Sequence, residues 1–267
     1  MIANYIRLAT PFGGPSILES WPIFNFYRLV ELTELDTLRV SLEERGRELN
    51  LLGTILLASE GINANLAGPL DNLKVFVGEI LCDKRFAGSQ VKKTFGKTKP
   101  FRKLEVRIKP SIVTFSQQVP VTAIQGAQKI TPEAFKELMA VNRDDVVVVD
   151  TRNDVEIEYG KFQQAETLGL RNFKEFLPRF AERYQDQRDK TFLIYCTGGI
   201  RCEKAAPALH ELGFRNILQL DGGIINYFEK CGPDAYDGNC FVFDSRWSIN
   251  PELHEAGITP PNKFVSA

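Results

Sequence analysis

The chain has 267 residues, 43% of them apolar and 25% charged, with a formal net charge of −1. That is the composition of a soluble globular protein, and the length is enough for two ordinary domains, each with its own core. The apolar runs are too short to span a membrane, and Met1 to Ser20 lacks a basic region followed by a sustained apolar stretch, so neither a membrane segment nor a signal peptide is expected. The five cysteines (Cys82, Cys196, Cys202, Cys231 and Cys240) are odd in number and scattered, which fits reduced thiols in a cytoplasm rather than a disulfide framework. There is no C-x-x-C pair, and the histidines are only His210 and His254, so no closed Cys/His metal site is expected.

The first elements mix strand and helix. Ile23 to Val30 reads as a strand. Thr33 is placed to cap a helix reaching about Asn50, with Leu35, Leu38, Leu42 and Leu49 at roughly helical spacing. Leu52 to Ala58 and Ile62 to Leu66 read as strands around the turn Ser59-Glu60-Gly61. Pro69 opens a second helix with Leu73, Phe76, Val77 and Ile80 on its apolar face. Val91 to Phe95 and Leu104 to Ile108 are further strands. The order β-α-β-β-α-β is that of a ferredoxin-like domain, assigned to residues 1–115.

Residues 116–129 are polar, contain Pro120 and Gly126, and show no clear period, so they read as a linker. A second domain, residues 130–232, alternates strands and helices. Thr131-Pro132-Glu133 is a strong helix start. Asp145 to Asp150 holds four consecutive valines, the mark of a strand buried on both faces. A helix is expected over Phe173 to Tyr184, with Pro178 able to break it. The Phe192 strand, a helix from Cys202, the strand Ile217 to Leu220 and a helix after Gly222-Gly223 complete a parallel α/β sheet. Pro207 inside the helix after Cys202 predicts a kink or a late start. Residues 233–267, with Pro233, Pro251, Pro260 and Pro261, read as an irregular tail that packs on something or stays mobile.

The chemistry is concentrated in Cys196-Thr197-Gly198-Gly199-Ile200-Arg201. A cysteine at the end of a strand, followed by two glycines and a helix start, gains stabilisation of its anionic form from backbone N–H groups and the positive end of the helix dipole. Arg201 adds a permanent charge. Cys196 is therefore expected to be a nucleophilic thiolate at neutral pH, at the carboxyl end of a central strand, where open α/β sheets place their sites.

Val149-Asp150-Thr151-Arg152, Glu158-Tyr159-Gly160, the Cys196 loop and Asp221-Gly222-Gly223-Ile224 together resemble a rhodanese domain, which carries sulfane sulfur as a cysteine persulfide. Four residues separate Cys196 from Arg201, one fewer than in the related cysteine phosphatases. A narrower resemblance rests on Cys196 to Lys204, Ser59-Glu60-Gly61-Ile62-Asn63, Pro100-Phe101 with Val106-Arg107 and Ile112-Val113-Thr114, and Phe241-Val242-Phe243-Asp244. These motifs are similar to those of the bacterial tRNA uridine hydroxylases. The resemblance covers nearly the whole chain. It implies a ferredoxin-like domain joined to a rhodanese domain, and oxygen-dependent conversion of the wobble uridine to 5-hydroxyuridine. Two departures stand out. Gly160-Lys161-Phe162 replaces the Gly-His common in rhodanese domains, and the tail holds Cys240 alone instead of a cysteine cluster.

On this reading Cys196 and Arg201 are catalytic, and Thr197, Gly198, Gly199 and Ile200 form the cradle. Asp150 and Arg152 either brace the site or act in it. Cys202 either resolves an oxidised Cys196 or is an inert packed thiol, and the other cysteines are taken as inert. From Lys84 to Lys109 ten Lys or Arg face only Glu105, a local charge of +9. Lys92, Lys93, Lys97, Lys99, Arg102 and Lys103 are the expected RNA contacts, with Phe95 and Phe101 able to stack on bases or to lie in the core. The expected partner is the tRNA anticodon loop. No protein partner and no cofactor are evident, and molecular oxygen is the co-substrate. Gly13-Gly14 and Gly222-Gly223 lack dinucleotide spacing. The alternative is a sulfurtransferase carrying sulfane sulfur on Cys196, which leaves the basic domain without a task.

Overall fold

The computed structural model of the chain describes residues 20–141 and 143–257. Most of the stretch read for a signal peptide, and the end of the tail with Pro260 and Pro261, lie outside the described residues.

The first domain begins with β1 (Trp21–Leu29), α1 (Leu35–Glu48), β2 (Leu52–Ala58), β3 (Gly61–Ala67), α2 (Leu70–Cys82) and β4 (Lys92–Gly96), and β5 (Leu104–Ile108) follows. The strand order is β4-β1-β3-β2-β5. The first four make the antiparallel ferredoxin-like sheet, and β5 extends its edge parallel to β2. Strand alternation decides what each face carries. Phe24 and Phe26 of β1 and Ile62, Ala64 and Leu66 of β3 join Leu73, Phe76, Val77 and Ile80 of α2 in one core. Asn25, Tyr27, Asn63 and Asn65 therefore lie on the other face. At the start of α1 the N-cap is Glu34 rather than Thr33. It sits in the left-handed region at φ 52°, and no side chain caps the helix.

The second domain contains α3 (Val121–Gln125), β6 (Lys129–Ile130), α4 (Pro132–Ala140), β7 (Val146–Asp150), α5 (Asp154–Ile157) and β8 (Gly160–Phe162). A 3₁₀ turn (Phe173–Glu175) then leads into α6 (Phe176–Arg183), and β9 (Thr191–Tyr195), α7 (Ile200–Glu211), β10 (Asn216–Leu220) and α8 (Gly223–Cys231) complete it. Its parallel sheet has the order β6-β10-β9-β7. Phe192 and Ile194 of β9 pack with Phe176, Phe180, Ala205 and Leu209 on one face. Leu193 and Tyr195 pack with Phe135, Ile224 and Tyr227 on the other. This two-faced burial is why β7 and β9 read as continuous apolar runs. At the start of α4, Thr131 Oγ1 accepts the Ala134 N–H at 3.2 Å, with Pro132 in the first turn.

Four local expectations change. The stretch read as a linker contains α3, whose Ile124 joins Val119 in the core beside α7; five residues are too few to display a period. Pro178 falls in the first turn of α6, where its missing N–H has no helical partner to lose. The helix after the Cys196 loop begins at Ile200, so the late start expected from Pro207 does not occur. Pro207 forgoes only the bond to the Glu203 carbonyl. The tail is built in: β11 (Tyr236–Gly238) pairs with β8, and β12 (Cys240–Phe241) pairs with β13 (Ser248–Ile249). Beyond β13 the Phe95 N–H donates to the Leu253 carbonyl at 2.9 Å, and the Phe95 and His254 rings stack at 4.9 Å. The tail thus ties the second domain to β4.

Candidate active site

Cys196 follows β9 directly and is fully buried by its own loop. Gly199, at φ 97°, turns the chain so that its N–H donates to Cys196 Sγ at 3.1 Å. A side chain there would meet backbone strain and the Tyr27 hydroxyl, 2.9 Å from the position of its Cβ. The first turn of α8 locks the loop from the other side: the N–H groups of Ile224 and Ile225 donate to the carbonyls of Cys196 and Thr197 at 3.0 and 3.1 Å. Gly223 is required there, because a Cβ would lie 2.4 Å from the Cys196 carbonyl oxygen.

Burial alone would raise the Cys196 pKa. Hydrogen bonding from the Cys202 thiol, the Arg201 charge, and the backbone N–H groups of Arg201 and Cys202 overcome it and bring the pKa down to about 5. The thiolate is therefore the form present at neutral pH. Cys202 moves the opposite way: burial and the neighbouring Cys196 sulfur raise it, so it stays a thiol and a donor.

Arg201 is itself held. Its two terminal nitrogens bond the two oxygens of Glu156 at 2.5 and 2.6 Å, and Glu156 is fully buried. The same carboxylate accepts the Asn153 N–H at 3.1 Å. The sequence reading missed Glu156, although Asn153-x-x-Glu156 is a capping-box spacing that could have flagged it. Asp150 and Arg152 form a second fully buried pair, joined by Tyr195 Oη donating to Asp150 at 2.6 Å and by Arg152 donating to the Gly160 carbonyl at 2.7 Å. These bonds tie β7, β8 and β9 together beneath the site. Neither residue lines the space in front of Cys196.

That space is a cavity of about 600 Å³ between the two domains. Cys196, Thr197, Gly198 and Arg201 form one wall. Asn25, Tyr27, Asn63 and Asn65, on the helix-free face of the first sheet, form the opposite wall, and Phe243, Asp244 and Arg246 of the tail close a side. Three buried contacts hold the walls together. Lys204 Nζ lies 2.8 Å from both carboxylate oxygens of Glu60, and also bonds Ser111 and the Val113 carbonyl. Tyr27 Oη donates to Glu203 at 2.8 Å. Arg246 pairs with Asp244 and donates to Thr94 Oγ1 at 2.8 Å. Among the described residues no group of three or more His, Cys, Asp or Glu side chains is arranged to hold a metal ion, and no helix is long and apolar enough to cross a membrane.

Two family models match. Residues 21–112 match the UPF0176 acylphosphatase-like domain, and residues 131–230 match the rhodanese-like domain. A tRNA uridine(34) hydroxylase of Ralstonia nicotianae is 42% identical over 235 residues, which cover 86% of this chain and 83% of the relative. The chain belongs to the tRNA uridine(34) hydroxylase family. Relatives of the same name from Cupriavidus pinatubonensis and Xanthomonas oryzae pv. oryzae are each 40% identical, covering 86% and 85% of this chain and 83% and 91% of their own.

In this hydroxylase-family chain the basic run does not form one patch. β4 and β5 are opposite edges of the sheet, so the residues from 97 to 103 must cross the ends of five strands. That is about 19 Å at ~4.8 Å per strand, close to the reach of an extended segment of that length. Lys97, Lys99, Arg102 and Lys103 are exposed along this crossing, and Lys103 is engaged with Glu105 at 2.9 Å. Lys93 is half-buried, its Nζ 4.8 Å from the Phe95 ring centre. Lys92 departs from the expected surface contact. It is only 2% exposed, with Nζ 5.2 Å from the Tyr27 ring centre. Burial pulls its pKa down to about 8, against the charges of Cys196, Asp221 and Glu203. It belongs to the interior behind the cavity and offers no surface to a phosphate. Phe95, stacked on His254, is likewise engaged within the protein.

Proposed function

We propose that this chain hydroxylates uridine 34 in the anticodon loop of tRNA, in the cytoplasm, with Cys196 as the group that meets the base. The observation that carries this reading is where the thiolate points. Cys196 faces a cavity of about 600 Å³ whose far wall comes from a different domain. That volume lies within the range of small-molecule sites, about 300–1,000 Å³. An enzyme acting on a base takes it out of the stack into such a pocket.

Molecular oxygen is the co-substrate in this reading. One oxygen atom goes to C5 of the uracil, and the other leaves as water with two electrons and two protons from a reductant. Addition of the Cys196 thiolate to C6 makes C5 electron-rich, and loss of the C5 proton later expels the sulfur. The loop N–H groups and Arg201 hold the thiolate ready for both steps. The exposed crossing segment, with Lys97, Lys99, Arg102 and Lys103, supplies the attraction for the RNA backbone.

The same loop would also hold a persulfide, which is the sulfurtransferase reading. The built second wall favours the hydroxylase, because a small donor such as thiosulfate has no use for it. One experiment separates the two. The gene is deleted, and bulk tRNA is digested and analysed by mass spectrometry after complementation with wild type or Cys196→Ala. Loss of 5-hydroxyuridine derivatives, restored by wild type alone, supports the hydroxylase. Unchanged hydroxylation with loss of thiosulfate-dependent persulfide on Cys196 supports the sulfurtransferase.

A further inference from the structure

The cavity wall opposite Cys196 carries three asparagines on adjacent strands, with Asn25 directly across from Asn65 in the β1–β3 register. Their amides are not free to turn. Asn25 Nδ2 donates to the Ala64 carbonyl at 3.2 Å and to Asn65 Oδ1 at 2.6 Å. Asn63 Nδ2 donates to the Ile112 carbonyl at 3.4 Å. A backbone carbonyl accepts only a donor, so each of these bonds orients its amide, and Asn25 in turn orients Asn65. Among the described residues this leaves both N–H groups of Asn65 Nδ2 and the second N–H of Asn63 Nδ2 unengaged, on the same face as two unengaged acceptors, Asn25 Oδ1 and Asn63 Oδ1. All three side chains line the cavity.

Uracil presents acceptor O4 beside donor N3–H. Cytosine reverses both, with donor N4–H₂ beside acceptor N3. A wall with a fixed donor next to a fixed acceptor matches the first pattern and opposes the second.

We infer that the asparagine wall is the specificity element of the site: Asn65 Nδ2 donates to O4 of the bound uracil, and a flanking amide oxygen accepts its N3–H, so that cytosine is refused. This rests on the reading of uridine as substrate and adds how the base is told apart. Phe243, 67% exposed and at the cavity's edge, is placed to cover the face of the base. A site that hydrogen-bonds its ligand rejects an analogue with the wrong edge, because the site's own polar groups are then left unpaired.

The test is binding under nitrogen, where no turnover occurs, by fluorescence anisotropy with anticodon stem-loop hairpins that differ only at position 34. Wild type is expected to hold the uridine hairpin at least about ten-fold more tightly than the cytidine hairpin. The 3-methyluridine hairpin, with N3–H blocked, falls to the cytidine level. Asn65→Asp keeps the oxygen that accepts from Asn25 and removes only the donor, so the uridine-to-cytidine ratio drops to about one or inverts. Asn65→Ala also loses the preference but keeps cytidine binding. The ratio cancels any general loss of RNA affinity, and a thermal melt checks that each variant is folded. A wild-type ratio of one, or a full preference retained by a folded Asn65→Asp protein, overturns the inference while the tRNA reading stands. If all hairpins bind no better than an unrelated duplex, both fail.

Discussion

The Cys196 wall of the cavity is made of one continuous stretch of chain, and the Asn65 wall is made of side chains from separate strands. The first draws its polarity from the Cys202 thiol, the Arg201 charge and the N–H groups of consecutive residues in a loop pinned between β9, α7 and α8. The second draws it from amides that are far apart in sequence and meet only because β1 pairs with β3. Backbone donors cannot be removed by a single side-chain change, so the loop is robust to substitution except at Cys196, at Cys202, at its glycines and at the buried ion pair behind it. The amide wall can be altered one atom at a time. A reaction centre and a recognition surface are thereby separated physically, and each can be broken without the other.

The largest break is expected from Cys196→Ala, which removes the reacting atom. Hydroxylation should fall about 1,000-fold or more, while hairpin binding is retained. Next comes Glu156→Gln, which leaves the Arg201 guanidinium buried without a carboxylate. Urea unfolding should show a loss of about 3–5 kcal/mol. Asn25→Ala, on the other wall, should cost about 1 kcal/mol, because it removes hydrogen bonds at a half-buried site.

A third measurement follows the thiolate itself. The rate of iodoacetamide alkylation of Cys196 should be flat above about pH 6 and fall through a midpoint near 5. The folded value lies below the ordinary thiol value of about 8.5. The stabilisation from the held thiolate is therefore fully present above about 8.5, and is lost as pH falls through about 5. Gly199→Ala should raise the alkylation midpoint, because the strained φ and the Tyr27 hydroxyl displace the N–H that faces the sulfur. Asn65→Asp should leave that midpoint much closer to the wild-type value than Gly199→Ala does. An equal shift in both variants would erase the proposed separation of the walls.

The smallest effect per residue is expected on the crossing segment. Replacing Lys97, Lys99, Arg102 and Lys103 by Ala should flatten the salt dependence of hairpin binding by about 0.7 in log–log slope for each phosphate that is no longer neutralised. It should leave the uridine-to-cytidine ratio unchanged. Lys92→Ala is the internal control. The side chain is buried against Tyr27, so its removal should lower stability without changing the salt slope.

Much of this protein was legible from local pattern. The helix face of α2, the start of α4, the buried strands β7 and β9, and the Cys196 loop all announce themselves within a few residues, where periodicity, caps and glycines act. Three features did not. Glu156 drew no reading from its local pattern, and it is the partner of Arg201. Lys92 looked like one more cation in a basic run, but it falls on the inward face of β4. Phe243 and Arg246 sat in a stretch without period, and only the β12–β13 pairing brings them to the cavity.

By itself the sequence determined the two-domain order and the thiolate. A sulfur held by its own loop needs only neighbours in the chain, and those neighbours are written consecutively from Cys196 to Cys202. Only the tertiary structure decided what that sulfur faces. Which face of the first sheet is left without helices, how Lys204 and Glu60 clamp it to α7, and where the tail closes the side are all long-range pairings. Their energy comes from burial and from complementary charge between segments tens of residues apart, and no local pattern carries that information.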